Sequence, residues 1–254
     1  MSKLPNKVAI VTGGGQGIGK AITMQLLKDG FSVVIAEIDP EAGEECVDEL
    51  TSLGDIKFIS TDVSGEPSVK NCIEQTVVWK GRIDALINNA GIGVWGKLED
   101  LPLADWIKCL NTNLTGCFLT VKHAAKHLRK TCGAIVNIAS IWAQQVKSDG
   151  DAYAASKAGM VGLTQSLAVN LGPEIRVNCI SPGWIIVDEW KKQAVRKPPN
   201  LRPIDHEQHP VGRAGKPEDI ASLAAFLISD GAGFISGENF IIDGGRARKQ
   251  GYAE

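Results

Sequence analysis

The sequence predicts an α/β fold: one doubly wound, seven-stranded parallel sheet with helices on both faces, in a single domain over residues 1–254. Three patterns predict it. Short apolar runs lack polar alternation, as strands buried on both faces do. Stretches of helical period separate those runs. A glycine-rich turn joins the first run to the first helical pattern.

Residues 8–11 form the first strand. The helical pattern over 18–28 places Ile22, Leu26 and Leu27 on one face, and Gly30 stops it. Strand 33–36, helix 41–53, strand 56–60, helix 67–78 and strand 85–88 follow. A long helical pattern covers 104–130. Strand 134–138, helix 153–171, strand 176–180, helix 217–228 and strand 239–242 complete the series. Residues 184–215 break the rhythm, with prolines at 198, 199, 203 and 210 and no clear period. Such a long irregular insertion is expected to cover a substrate site.

The net charge of −2, with scattered basic residues, carries no footprint for nucleic acid. Lys191, Lys192, Arg196 and Lys197 form the densest basic stretch and read as a solvated face. Six cysteines without paired spacing read as buried free thiols of a reducing cytoplasm. No apolar run approaches a membrane span, and Met1 to Lys7 carries no leader pattern. The expected location is cytoplasmic, without nucleic acid or membrane partners.

Thr12-Gly13-Gly14-Gly15-Gln16-Gly17-Ile18-Gly19 lies where a parallel sheet presents the carboxyl end of its first strand. Glycines there let backbone approach a pyrophosphate, and the following helix offers free amides and a positive dipole end. The Gly-x3-Gly-x-Gly spacing departs from the general dinucleotide fingerprint, so its strand–turn–helix context carries the reading. Glu37 ends the second strand. A carboxylate there can accept the adenosine ribose hydroxyls and repels a 2′-phosphate, favouring NAD over NADP. Asp39 competes for that role. Asp62-Val63 and Asn88-Asn89-Ala90-Gly91 end the third and fourth strands, beside the expected cofactor.

The chain has two tyrosines, and Tyr252 lies in a charged tail. Tyr153 precedes Lys157 by one helical turn, so the two share a face. A phenol of pKa about 10 is a poor base at neutrality. A nearby ammonium and an oxidised nicotinamide favour the phenolate, and a shift of about 3 units needs about 4 kcal/mol. Ser140, at the end of its strand, can hydrogen-bond a substrate oxygen. Asn113 sits within the long helical pattern beside Thr112, Thr115 and Gly116, which suggests a local irregularity.

These motifs, with Pro182-Gly183 and Asp243-Gly244-Gly245, resemble those of the short-chain dehydrogenase/reductase family along nearly the full chain. The resemblance implies a Rossmann-type sheet and a tetrad of Asn113, Ser140, Tyr153 and Lys157. Ser polarises the carbonyl and Tyr transfers the proton. Lys lowers the Tyr pKa and binds the nicotinamide ribose, and Asn anchors a water-linked relay. It implies NAD contacts from Gly13, Gln16, Gly17, Ile18, Gly19, Glu37, Asp62, Val63, Asn89, Ala90, Gly91, Tyr153, Lys157, Pro182, Gly183 and Ile185, and no metal. It also implies a homotetramer, or a homodimer, with residues 217–245 in one interface. Val187 departs from the family, which often has Thr there against the carboxamide. That contact is expected to pass to backbone groups such as those of Ile185.

The expected reaction interconverts a secondary alcohol and a carbonyl, on a small polyol, sugar or hydroxyketone such as acetoin. Residues 13–31 resemble those of acetoin/diacetyl reductases, but that segment binds cofactor. Reduction of 3-oxoacyl thioesters, which Glu37 disfavours, and steroid-type substrates are alternatives. The intact Ser140, Tyr153 and Lys157 argue against a silent NAD-binding sensor. His123 and His127, four apart on a helix, read as a solvated or interface pair. His206 and His209 read as surface residues. Trp95, Trp142, Trp184 and Trp190 fit either a pocket or packing.

Overall fold

The computed structural model describes residues 7–146 and 148–249; the N-terminal run before Lys7 and Tyr252 lie outside them. The chain runs β1 (Val8–Thr12), α1 (Gly17–Lys28), β2 (Ser32–Glu37), α2 (Pro40–Leu50), β3 (Ile56–Ser60), α3 (Glu66–Lys80) and β4 (Ala85–Asn88). It continues through α4 (Leu103–Leu110), α5 (Gly116–Thr131), β5 (Ala134–Ile138), α6 (Asp151–Leu171), β6 (Arg176–Pro182), α7 (Pro203–Glu207), α8 (Pro217–Ile228) and β7 (Asn239–Ile242). All seven strands pair in parallel in the order 3-2-1-4-5-6-7. This is the expected Rossmann-type sheet, and the order reverses between β1 and β4, where such sheets open a ligand crevice.

The pleat sorts the apolar residues. Ala9, Val11, Val33, Ile35, Val136 and Ile138 face α1, α2 and α8. Ile10, Val34, Ala36, Leu86, Ile135 and Val177 face α3, α5 and α6. Each fully buried Ile, Val or Leu contributes roughly 1.5–3 kcal/mol. A one-residue slip would exchange the two sets, so burial fixes the register more firmly than local propensity.

Within the fold, four features add to or depart from the sequence reading. A π-helical turn at Asn111–Thr115 interrupts the long helix, as the Asn-rich stretch suggested. The insertion is not structureless: it contains α7 and 3₁₀ turns at Asp188–Trp190 and Gln193–Val195. Its basic stretch is not a free solvated face, because α2 presents carboxylates to it. Lys192 pairs with Asp39 at 2.7 Å and Glu41 at 2.6 Å, and Arg196 pairs with Glu49 at 2.7 Å. The Gln193 amide donates to Glu45 at 2.7 Å. The fourth is Cys132, which is exposed at a left-handed helix end while the other five thiols are buried.

Arg176 joins β6 to the far end of α8. Its guanidinium donates to the carbonyl of Leu227 at 2.8 Å, which the helix end leaves without an intrahelical partner, and to that of Ser229 at 3.1 Å, which also accepts the Ala232 amide. Replacing Arg176 with Met is expected to destabilise the fold by about 2 kcal/mol. Chemical denaturation checks this: the midpoint should fall with little change in slope, and an unchanged midpoint would deny Arg176 this role.

Candidate active site

The glycine turn is forced by space. Gly13 lies at φ +59°, and a Cβ on Gly19 would stand 2.0 Å from the Gly13 carbonyl oxygen. The turn opens directly into α1. Gln16 is the N-cap, but its side chain caps nothing, and the first turn contains no acidic residue. The leading amides after Gln16, on Gly17, Ile18 and Gly19, therefore keep their donor capacity and the positive end of the helix dipole. A pyrophosphate fits this donor set.

Asn89 holds the turn rather than extending from it. Its side-chain amide donates to the carbonyls of Thr12 and Gly13, each at 3.0 Å. The Thr12 hydroxyl accepts the backbone amides of Asn89 and Ala90 at 2.9 and 3.0 Å. Thr12, which the sequence marks only as the first residue of the glycine motif, is thus a positioning residue. The remaining expected contacts lie on the same strand ends. Asp62 is exposed and accepts from the Ser64 amide and hydroxyl at 2.9 and 2.7 Å. Val63 is buried against Val69 and Leu119, with Ala90 packed alongside. A Cβ on Gly91 would lie 3.2 Å from the Asn113 Oδ1 and 3.4 Å from the Lys157 Nζ. Gly91 therefore lets the chain pass beside both groups.

Glu37 is buried. Its Oε2 accepts from the Gly15 amide at 3.2 Å, and its Oε1 accepts from Ile38 at 3.0 Å and Asp39 at 3.3 Å. Burial raises its pKa, and these amide bonds oppose the rise. Three amides leave the carboxylate capacity for about one further hydrogen bond, fewer than the two ribose hydroxyls expected from sequence. The competing Asp39 is occupied: it caps α2 at Ala42 and pairs with Lys192. Lys192 is a cation near the ribose end that sequence spacing did not reveal, and its charge is balanced by Asp39 and Glu41.

Beyond Pro182, the Gly183 amide donates to the Ile242 carbonyl at 2.8 Å. Ile185 forms a parallel bridge with Gly215, in which the amide of Ile186 and the carbonyl of Trp184 make the bonds. The Ile185 amide and carbonyl take no part in that bridge, so they can serve a carboxamide. Val187 stands opposite Gly17, 3.7 Å from where a Cβ there would be, so it narrows the mouth of the groove.

Ser140, Tyr153 and Lys157 converge at the carboxyl end of β5. Ser140 is buried, and its hydroxyl accepts from the Trp142 amide at 3.2 Å. Lys157 is 4% exposed and donates to the Ile138 carbonyl at 2.8 Å, with its Nζ 5.6 Å from the Tyr153 ring centre. Burial pushes Lys157 down to about 8. Burial also raises the Tyr153 phenol, against the lowering effect of the Ser140 hydroxyl. The expectation of a phenol lowered by Lys157 is therefore not met by the protein's own groups, because desolvation outweighs them. Asn113 is fully buried and clamps the backbone of Ile92, accepting from its amide at 2.8 Å and donating to its carbonyl at 3.0 Å. It also donates to the Ser156 hydroxyl at 2.9 Å.

Below the site lies a polar network that sequence reasoning did not single out. The Asn88 side-chain amide donates to Asn137 at 2.9 Å and its carbonyl accepts from Thr120 at 2.6 Å, while Asn137 donates to Thr164 at 2.9 Å. The available signal was an Asn inside the otherwise apolar β5.

Ser140 and Tyr153 open onto a cleft of about 490 Å³. Its walls include Trp95, Trp142 and Trp184, and charged groups come from Arg202, Asp205 and Arg246. The rings of Trp95 and Trp142 lie 5.5 and 6.0 Å from that of Tyr153. Trp190 instead packs against the core. His209, expected at the surface, is 2% exposed beside Trp184, with its Nδ1 3.0 Å from the Asp205 carbonyl. His123 meets Glu66 at 2.9 Å.

Known proteins match this arrangement. Residues 13–247 fit a family model described as enoyl-(acyl carrier protein) reductase. An uncharacterized oxidoreductase of Thermotoga maritima is 50% identical over 99% of this chain and 100% of its own length. A 3-oxoacyl-[acyl-carrier-protein] reductase of Chlamydia pneumoniae is 37% identical over 95% of this chain and 97% of its own. Among solved structures, a 7α-hydroxysteroid dehydrogenase complexed with NADH and 7-oxo glycochenodeoxycholic acid has a TM-score of 0.86 and 34% identity, covering 96% of this chain and 95% of its own. The chain therefore belongs to the short-chain dehydrogenase/reductase family, whose members are nicotinamide-dependent oxidoreductases acting on CH–OH groups.

Proposed function

We propose that this chain is an NAD-dependent dehydrogenase/carbonyl reductase for a small polyhydroxy or hydroxyketone substrate, with Tyr153 as its acid/base. The observation that carries this reading is the shared cleft wall formed by Ser140 and Tyr153, backed by the buried Lys157. NAD supplies the hydride acceptor or donor and, when oxidised, a positive charge beside the phenol. The Ser140 hydroxyl orients the substrate oxygen. The Tyr153 hydroxyl gives its proton to a carbonyl oxygen in reduction and takes one from an alcohol in oxidation. Lys157 presents an ammonium fixed by Ile138, and Asn113 holds the Ile92 backbone beside it. The amides after Gln16 hold the pyrophosphate, with Asp62, Val63 and Ala90 toward the adenine and Ile185 toward the carboxamide. Residues 184–215 cover the site within a single domain.

Six unpaired cysteines suit a reducing cytoplasm. Exposed Ile107, Phe118 and Val169 suit burial in a homotetramer or homodimer. The Chlamydia relative favours 3-oxoacyl thioesters as the second substrate reading. The enclosed Glu37 carboxylate supports NAD over NADP, because a 2′-phosphate would meet a negative charge.

Three results test this reading. Tyr153→Phe is expected to lower kcat by about 10²–10⁴-fold while NADH still binds by fluorescence titration; retained turnover would remove Tyr153 from the mechanism. Wild type should use NADH better than NADPH across a panel of polyols, hydroxyketones and a 3-oxoacyl thioester. Glu37→Gln should shift the ratio of kcat/KM toward NADPH by about tenfold or more, a change of at least about 1.4 kcal/mol, and a wild-type preference for NADPH would overturn the role of Glu37.

The third result concerns Lys157, whose folded pKa of about 8 lies below the ordinary 10.5. Between those values the unfolded chain binds the proton that the folded chain has lost, so this group's contribution to stability rises with pH. Five buried thiols with raised pKa values act oppositely above pH 9, so the comparison must be with Lys157→Met. Wild type should gain stability relative to that variant between pH 8 and 10.5, by roughly 3 kcal/mol in chemical denaturation. A pH-independent difference would contradict the burial of an ammonium here.

A further inference from the structure

We propose that the cleft selects a substrate carrying an anionic group, and that Arg246 binds it. The inference rests on the reading of Ser140 and Tyr153 given above and narrows it from neutral polyols and hydroxyketones to their acids or phosphates.

The cleft that contains Ser140 and Tyr153 is charged unevenly. Two guanidiniums, of Arg202 and Arg246, line it against one carboxylate, of Asp205. That carboxylate is committed to Arg202. The Arg202 guanidinium reaches it at 3.0 and 3.3 Å, and the Arg202 amide donates to it at 2.8 Å. Arg246 is half-buried, and among the described residues its side chain has no ion pair and no hydrogen bond. The nearest acidic residue in sequence, Asp243, is also occupied. Its two oxygens accept the amides of Gly245 at 2.9 Å and Ala247 at 2.6 Å.

The segment bearing Arg246 is held from both sides. Gln145, just beyond Ser140, donates to the Ala247 carbonyl at 2.8 Å. Lys249 donates to the Glu207 carbonyl at 2.9 Å, at the end of α7. Gly244 and Gly245, at φ +64° and +83°, turn the chain back so that Arg246 faces the cleft. Arg246 is therefore placed in advance beside the indole walls, with its donors uncommitted among the described residues. A planar fork of donors matches the oxygens of a carboxylate or a phosphate, and the pairing strengthens where water is excluded. A neutral substrate would leave this half-buried cation without a counter-charge among the described residues.

The test uses matched alcohols that differ in one group: gluconate against glucitol, 3-hydroxybutyrate against 1,3-butanediol, and glycerol 3-phosphate against glycerol. Wild type, Arg246→Gln and Arg246→Lys are compared by NADH formation, and acid binding is followed by calorimetry in the NAD complex. At least one acid should exceed its neutral partner by tenfold or more in kcat/KM. Arg246→Gln should raise KM for that acid at least tenfold more than for its partner, and Arg246→Lys should restore part of the difference. The carboxylate and phosphate pairs identify which anion is preferred. Equal losses for acid and neutral substrates, a neutral substrate preferred by wild type, or no Arg246-dependent binding would overturn the proposal. Arg246-dependent binding of an acid without turnover of any substrate would uphold the anion site and instead overturn the oxidoreductase reading.

Discussion

The site depends on an ammonium group kept out of water. Lys157 sits at the carboxyl end of β5 with one hydrogen bond among the described residues, to Ile138, and Tyr153 beside it. Desolvating a cation costs several kcal/mol, and one bond to a carbonyl returns only about 1.5–3. The fall of its pKa to about 8 expresses that imbalance. The group nevertheless stays mainly protonated at neutrality. The phenol meets the same penalty from the other direction, since burial favours its neutral form. Ionising this phenol near neutrality therefore requires a further positive charge close by, in a cleft where water does not screen it.

Several elements converge to maintain this arrangement. The sheet supplies depth, because β4 and β5 carry Asn88 and Asn137 into a satisfied polar network beneath Lys157. The π-helical turn brings Asn113 inward to clamp Ile92, which a regular helix through the same residues was not expected to do. The insertion and the C-terminal segment supply the roof. Ile185 and Trp190 pack against the core, while Lys192 and Arg196 bind the acidic face of α2 and Lys249 binds the end of α7. The ion pairs among these contacts weaken with salt, while the apolar packing does not.

Much of this was legible in the sequence, and for a physical reason. Strands buried on both faces and a glycine turn that admits no Cβ are local constraints, and each leaves its own pattern. Tyr153 and Lys157 were legible because helical spacing puts them on one face and the surrounding motifs mark that face as a site. Even the π-helical turn was signalled by Asn111, Thr112 and Asn113. Long-range pairings were not legible. Nothing local places Lys192 against Asp39, gives Asn89 to the Gly13 carbonyl, buries His209 beneath Trp184, or brings Arg246 to Ser140. The opposing effect of burial on the Tyr153 phenol was not legible either, because spacing reports proximity, while desolvation is set by the folded chain.

The central claim is that a buried cation and oxidised nicotinamide together make one phenol acidic. The chain has two tyrosines, so Tyr252→Phe leaves Tyr153 as the only source of tyrosinate absorbance. Ultraviolet difference titration of that variant saturated with oxidised NAD measures the phenol directly. A tyrosinate should appear well below pH 10 with the dinucleotide, and at or above pH 10 without it. A phenol that titrates at the same high pH in both states would contradict it.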